Sequence, residues 1–196
     1  MNPPKPVEEI IGLLEERLGI EPWNWHTTLN PFQVLISTVL SLSTKDANTD
    51  KASRQLFSKY PTPEGISEAP TEEIEKLIRP SGFYKQKAKR IIEISRIILE
   101  EFKGAVPRTT EELTALPGVG RKTAGCVLCY GFGIPSIPVD THVHRISNRI
   151  GLVKTRRPED TEQALMKLIP KDHWIKINQL LVKHGPAQPE RAEVPH

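Results

Sequence analysis

Leu116-Pro117-Gly118-Val119-Gly120-Arg121-Lys122 is the stretch on which the reading of this 196-residue chain turns. Just upstream, Thr109 and Glu112 stand at capping-box spacing, which opens a short helix through Leu113 and Leu116. Pro117 stops that helix, because it lacks an N–H and restricts the residue before it. Gly118 and Gly120 then permit a tight hairpin with backbone N–H groups turned outward. A second helix starts near Arg121 and carries Ala124, Val127 and Leu128 on one face. Helix, glycine hairpin and helix N-terminus together suit a single phosphate, since open amides and the helix dipole both favour an anion. The plainer alternative is a helical connector.

Downstream, Pro138-Val139-Asp140-Thr141-His142 places an acid at the start of the next helix, which runs to Ile150 before Gly151. Lys122 and Asp140 are thus first-turn residues of two helices joined by the Gly/Pro-rich link 131–138. A lysine and a carboxylate at such helix ends, beside a phosphate grip, form a nucleophile with an assistant. The plainer alternatives are a phosphate-contacting Lys122 and an Asp140 that only caps its helix.

Leu116-Pro-Gly-Val-Gly-Arg-Lys-Thr-Ala124, followed by Val139-Asp-Thr-His142 and Arg145-x-x-Asn148-Arg149, resembles endonuclease III, a family of helix–hairpin–helix DNA glycosylases with a catalytic aspartate. The resemblance runs from about Pro31 to Gly185. It implies a base-excision-repair DNA glycosylase with AP lyase activity, which removes damaged or oxidised pyrimidines from double-stranded DNA and cuts 3′ to the abasic site. By position, it implies Lys122 as the Schiff-base nucleophile and Asp140 as the catalytic carboxylate. Gly118, Val119, Gly120 and Arg121 would hold the DNA backbone, with a monovalent cation on hairpin carbonyls near Leu116 and Gly118. Ser43, Phe83, His142 and Arg145 are further DNA contacts by the same resemblance. A monomer acting on the nucleoid in the cytoplasm is expected.

The rest of the chain reads as helix. Val7, Ile10, Ile11, Leu14 and Leu18 recur at helical spacing, and Asn30-Pro31 is a cap with proline at the first helical position. Phe32 to Leu42 is apolar nearly all round, as a buried central helix should be. Asp46 is expected to cap a helix reaching Tyr60, and Thr71 a short one ending before Pro80. Ile91, Ile94, Ile98 and Phe102 stripe the longest helix, expected to start near Gln86. Residues 158–168 and 172–184 supply two more. No alternating strand pair, repeat or low-complexity segment occurs, so the fold class is all-α. The resemblance adds a central six-helix block at residues 23–134 and a second helical domain from 1–22 with 135–196. A DNA-binding cleft between the two is implied.

Composition narrows the partners. No apolar run approaches the roughly 20 residues of a membrane span, and the proline-rich start lacks a signal-peptide core, so an intracellular protein off the membrane is expected. Net charge is only +3, yet residues 121–157 hold seven Lys/Arg and a single acid, Asp140. Residues 64–75 are acidic and read as a solvated face. Lys85, Lys87, Lys89 and Arg90 are either further phosphate contacts or a solvated helix start.

Two departures from the family stand out. Endonuclease III usually ends in four cysteines that ligate an iron–sulfur cluster, whereas the only cysteines here are Cys126 and Cys129. No cluster and no required cofactor are expected, whether the form is natural or truncated. Their C-x-x-C spacing without a second pair reads as a buried apolar role rather than a redox or metal site. Ser43 stands where the family commonly has a glutamine that fills the gap left by a flipped base. Something else must then act as wedge, and Phe83, in the loop Ser81-Gly82-Phe83-Tyr84, is the candidate. Tyr84 is expected to pack under the loop.

The chemistry asks for these residue types. A base inside a duplex must be flipped out before its sugar can be attacked. A lysine amine, ordinarily protonated at neutral pH with a pKa of about 10.4, must lose its proton to displace the base. Asp140 is cast as stabiliser of the positive charge that develops on the sugar. A monofunctional mismatch uracil or thymine glycosylase would use Asp140 with water. A non-enzymatic hairpin module would need no Asp140.

Overall fold

The structure, a computed structural model, describes residues 29–175 together with residues 9, 11–13, 16, 177 and 180. The helices expected at residues 7–18 and 172–184 lie largely outside these residues, and the tail beyond residue 184 does so entirely. Among the described residues all regular structure is helical. The chain divides into two units, one of residues 24–134 and one of residues 1–23 with 135–196.

The first unit is built around α1, Pro31–Ser41. Asn30 accepts from the Gln33 N–H at 2.9 Å and Gln33 reaches back to the Asn30 N–H, a reciprocal cap that fixes where the helix starts. Val34, Leu35, Ile36, Val39 and Leu40 are fully buried, which is why the segment reads as apolar on every side. Around it pack α2 (Asp46–Lys59), α5 (Tyr84–Phe102) and α7 (Arg121–Cys126), whose last turns widen into a π turn at Val127–Gly131. Short helices α3 (Pro63–Glu68) and α4 (Thr71–Leu77) lie on α5, and α6 (Thr110–Ala115) lies on α7. Leu56, Ile66, Ile74, Ile91, Ile94, Ile98 and Leu113 close the core.

Several boundaries move. Asp46 and Thr71 are the first residues of their helices rather than the caps, which are Lys45 and Pro70. The long helix starts at Tyr84 rather than Gln86, because Phe83 ends the preceding loop in the left-handed region. Within the acidic stretch, Thr62 accepts from the Gly65 N–H and Pro63 takes the first helical position, so α3 forms there and buries Ile66.

The second unit carries α8 (Thr141–Arg149), α9 (Pro158–Leu168) and a 3-10 turn at Lys171–His173. Val143 and Ile146 of α8 meet Leu165 of α9 in a separate apolar cluster with Ile137, Val139 and Ile169. The turn after α8 is tied by polar side chains. Asn148 accepts from the Thr155 N–H at 2.8 Å, and the Thr155 hydroxyl lies against that of fully buried Thr161, itself 2.6 Å from His144 Nδ1. Asn148 in the Arg145-x-x-Asn148-Arg149 run therefore shapes the fold locally.

Candidate active site

The hairpin is assembled from its two ends. Thr109 accepts from the Glu112 N–H at 3.2 Å, while its hydroxyl donates to the Glu112 carboxylate at 2.7 Å. Half of the expected capping box is thus replaced by a side-chain bond. Leu116 and Val119 are buried and root the turn in the core, and the Val119 N–H donates to the Leu116 carbonyl at 3.1 Å. Gly118 sits at φ +72°, where a side chain is strained, and an added Cβ would run into the Arg90 side chain. Gly120 has an ordinary φ of −90° and serves as the N-cap of α7.

Of the three hairpin amides expected to face a phosphate, that of Val119 is committed to the turn. Those of Gly118 and Gly120, both exposed, have no acceptor among the described residues. Having no side chain, Gly120 gives the first turn of α7 no side-chain cap of its own, and a helix N-terminus of this kind attracts an anion. Arg121 is exposed at the first position of α7, and Lys122 follows, half-buried. Among the described residues the Lys122 amine has neither a hydrogen bond nor an ion pair.

In the second unit Asp140 is half-buried and caps α8. A single oxygen, Oδ1, accepts from the His142 N–H at 2.9 Å and the Val143 N–H at 2.8 Å. Oδ2 accepts nothing among the described residues. Capping and chemistry therefore do not compete for this carboxylate, because each can have its own oxygen. His142 and Arg145 are exposed on the next turn, with Arg145 Nη2 3.2 Å from His142 Nδ1.

Ser43 and Phe83 lie on two loops of the first unit, and both hold non-glycine residues at positive φ, 52° and 56°. For a bulky residue this is a true outlier, of a kind that gathers at functional sites. Phe83 is 67% exposed, whereas Tyr84 is half-buried and packs on the core. Phe83 is therefore a surface residue and no part of the core.

Between these loops lies a residue whose role the sequence reading missed. Lys87 is buried, not a phosphate contact, whereas Lys85 and Lys89 are exposed. The signal was its register: Tyr84, Lys87, Ala88, Ile91, Ile94 and Ile98 form one stripe of α5, and a lysine stands inside it. Burial and the nearby Arg90 guanidinium push its amine down to about 8.

Residues 36–171 match the HhH-GPD superfamily of base excision DNA repair proteins. Endonuclease III of Thermotoga maritima is 58% identical over 160 residues, covering 82% of this chain and 75% of the relative. That of Bacillus subtilis is 40% identical over 157 residues, with 80% and 72% covered. The chain belongs to the endonuclease III family. It is a DNA glycosylase with AP lyase activity, of the base-excision-repair class. A solved structure of a trapped endonuclease III–DNA covalent intermediate superposes with a TM-score of 0.85 at 35% identity, covering 95% of this chain and 88% of that one. Among the described residues no helix is long and apolar enough to cross a membrane.

An iron–sulfur cluster of the kind usual in endonuclease III does not fit the cysteines present. Cys126 and Cys129 are both buried, in α7 and the π turn. Burial, with Cys126 alongside, pushes the Cys129 thiol up to about 12, as expected of an inert buried thiol.

Proposed function

We propose that the protein excises oxidised or otherwise damaged pyrimidines from double-stranded DNA through a Schiff base on Lys122. The observation that carries this reading is the half-buried Lys122, whose amine has no partner among the described residues, at the second position of α7 and close in sequence to the open amides of Gly118 and Gly120. Those amides and the exposed Arg121 grip backbone phosphates, with a monovalent cation on hairpin carbonyls near Leu116 and Gly118 as a further aid. His142 and Arg145 add contacts from the other unit. The enzyme works on nucleoid DNA in the cytoplasm.

In the reaction, the neutral amine donates its electron pair to the sugar C1′, and the C–N bond to the base breaks with the electrons leaving on the base. The ring opens to an iminium between Lys122 and C1′. Loss of a proton from C2′ then expels the 3′ phosphate by β-elimination, and water releases the lysine. Asp140 uses Oδ2 to steady the positive charge that grows on the sugar, and Oδ1 keeps its hold on α8. Phe83 occupies the space vacated by the flipped nucleotide, a task for which Ser43 is too short. No step calls on a metal cluster, and two cysteines cannot supply the four thiolates one needs; iron analysis of the purified chain should find no stoichiometric iron.

Borohydride trapping on a duplex with one oxidised pyrimidine tests the reading. A covalent adduct is expected from the wild type and none from Lys122→Gln, which should still bind abasic DNA. A Lys122→Gln adduct of undiminished yield would overturn the assignment.

A further inference from the structure

We propose that Lys87 is a positioning residue of the glycosylase step, a buried clasp that locks the Ser43 loop to the Phe83 loop so that they meet the duplex as one rigid piece. This rests on the reading of Phe83 as the wedge. The geometry is explicit. The Lys87 amine donates to the carbonyls of Leu40 at 2.8 Å and Leu42 at 2.6 Å, which belong to the end of α1 and the loop that follows. It also reaches the hydroxyls of Thr44 at 2.9 Å and Ser81 at 2.8 Å. One side chain thereby holds residues on both sides of Ser43 and a residue two before Phe83.

The two loops are also sewn to each other. The Ser81 hydroxyl donates to the Leu40 carbonyl at 2.9 Å, and the Gly82 N–H donates to the Thr44 hydroxyl at 3.0 Å. Gly82 lies so close to the other loop that an added Cβ would stand 2.7 Å from the Ser43 carbonyl oxygen. Lys87 itself is 3% exposed. A buried lysine is costly unless its protons find acceptors, and here four oxygens surround an ammonium with three N–H groups. That outlay goes to holding two loops whose tips are exposed, strained and otherwise small.

The chemical centre at Lys122 is on a different turn, so the clasp should govern opening of the duplex and leave sugar chemistry on an already extrahelical residue alone. Lys87→Met keeps the apolar stem and removes the amine. In the free protein, exchange of the Gly82 amide should quicken by about tenfold or more, since its acceptor loop is released. Single-turnover excision from a duplex containing an oxidised pyrimidine should fall by roughly ten- to hundredfold, while trapping on single-stranded abasic DNA stays within about twofold of wild type. Thr44→Val, a milder variant that removes one of the clasp's oxygens, should show the same split at about threefold, should Lys87→Met fail to fold.

Unchanged Gly82 exchange overturns the clasp, as does an equal loss on the two substrates or undiminished duplex excision. A wild-type protein that traps no abasic DNA would instead sink the reading of Lys122. The exchange measurement needs no DNA, so the two failures are told apart.

Discussion

The hairpin and the Ser43 and Phe83 loops of the 24–134 unit all hold left-handed residues, and they do so by opposite means. At the hairpin the residue is Gly118, which takes φ +72° at little steric cost. In the other pair of loops the residues are Ser43 and Phe83, at 52° and 56°, and an L side chain there costs about 1–2 kcal/mol. The hairpin's shape is thus written into its own seven residues. The loops' shape is imposed from below, by Lys87 and the hydroxyls of Thr44 and Ser81. A grip for phosphate can be a local motif, whereas a device that must push into a duplex needs support from elsewhere in the chain.

Separating the two turns by mutation gives effects of graded size. The largest is at the hairpin: Lys122→Gln should reduce borohydride adduct to background while electrophoretic shift of abasic duplex persists. Next comes Asp140→Asn, which keeps an amide oxygen for the cap of α8 but removes the charge. Base release should slow by about 10²–10⁴-fold with the melting temperature nearly unchanged. A fully active Asp140→Asn would leave that residue with the cap alone.

At the loops the effect is on opening. Phe83→Ala should weaken binding to lesion duplex by about 1–3 kcal/mol, the range for one lost stacking contact, with little change on single-stranded abasic DNA. Since Phe83 is exposed, a matching fall in thermal stability would contradict the picture. Smaller, and directly comparative, are Gly118→Ala and Phe83→Gly. The first should destabilise and the second stabilise, each by about 1 kcal/mol in urea unfolding, because only one of the two native residues is strained. The same sign for both would dissolve the contrast between the turns.

The smallest effect is on pH. The Lys87 amine lies at about 8 in the fold against an ordinary 10.5. Its folded pKa is depressed, so the cost of a buried charge is fully present below pH 8 and is relieved as the pH rises toward 10.5. Wild type should therefore gain on Lys87→Met by about fourfold in folding constant between pH 7 and 8.5. A flat difference in urea midpoints would show that the amine keeps its ordinary pKa.

What could be read in the sequence follows the same division. The hairpin, the buried α1 and the cap at Asp140 were legible because each rests on near neighbours: a proline, two glycines, an apolar run, an acid before a helix. α3 was missed because its cap, Thr62 ahead of Pro63, sits in a stretch whose acidic content drew the reading toward a plain solvated face. The clasp was missed because two of its four acceptors are backbone carbonyls more than forty residues away, at Leu40 and Leu42. Backbone carbonyls carry no signature in a sequence, and only the placement of Lys87 on an apolar stripe hinted at them. The division of Asp140 into one capping oxygen and one open oxygen is likewise a matter of geometry.

The contact of Gly82 with the Ser43 carbonyl bears on how such enzymes can be recombined. A chimera that takes residues 40–44 from one parent and 80–87 from another would join two surfaces matched to within a methyl group. Any side chain at position 82, or any shift of the backbone at 43, would force the seam apart. Crossover points between parents therefore belong outside both segments, and libraries aimed at new lesions should vary the two together, as though they were a single loop that the chain happens to visit twice.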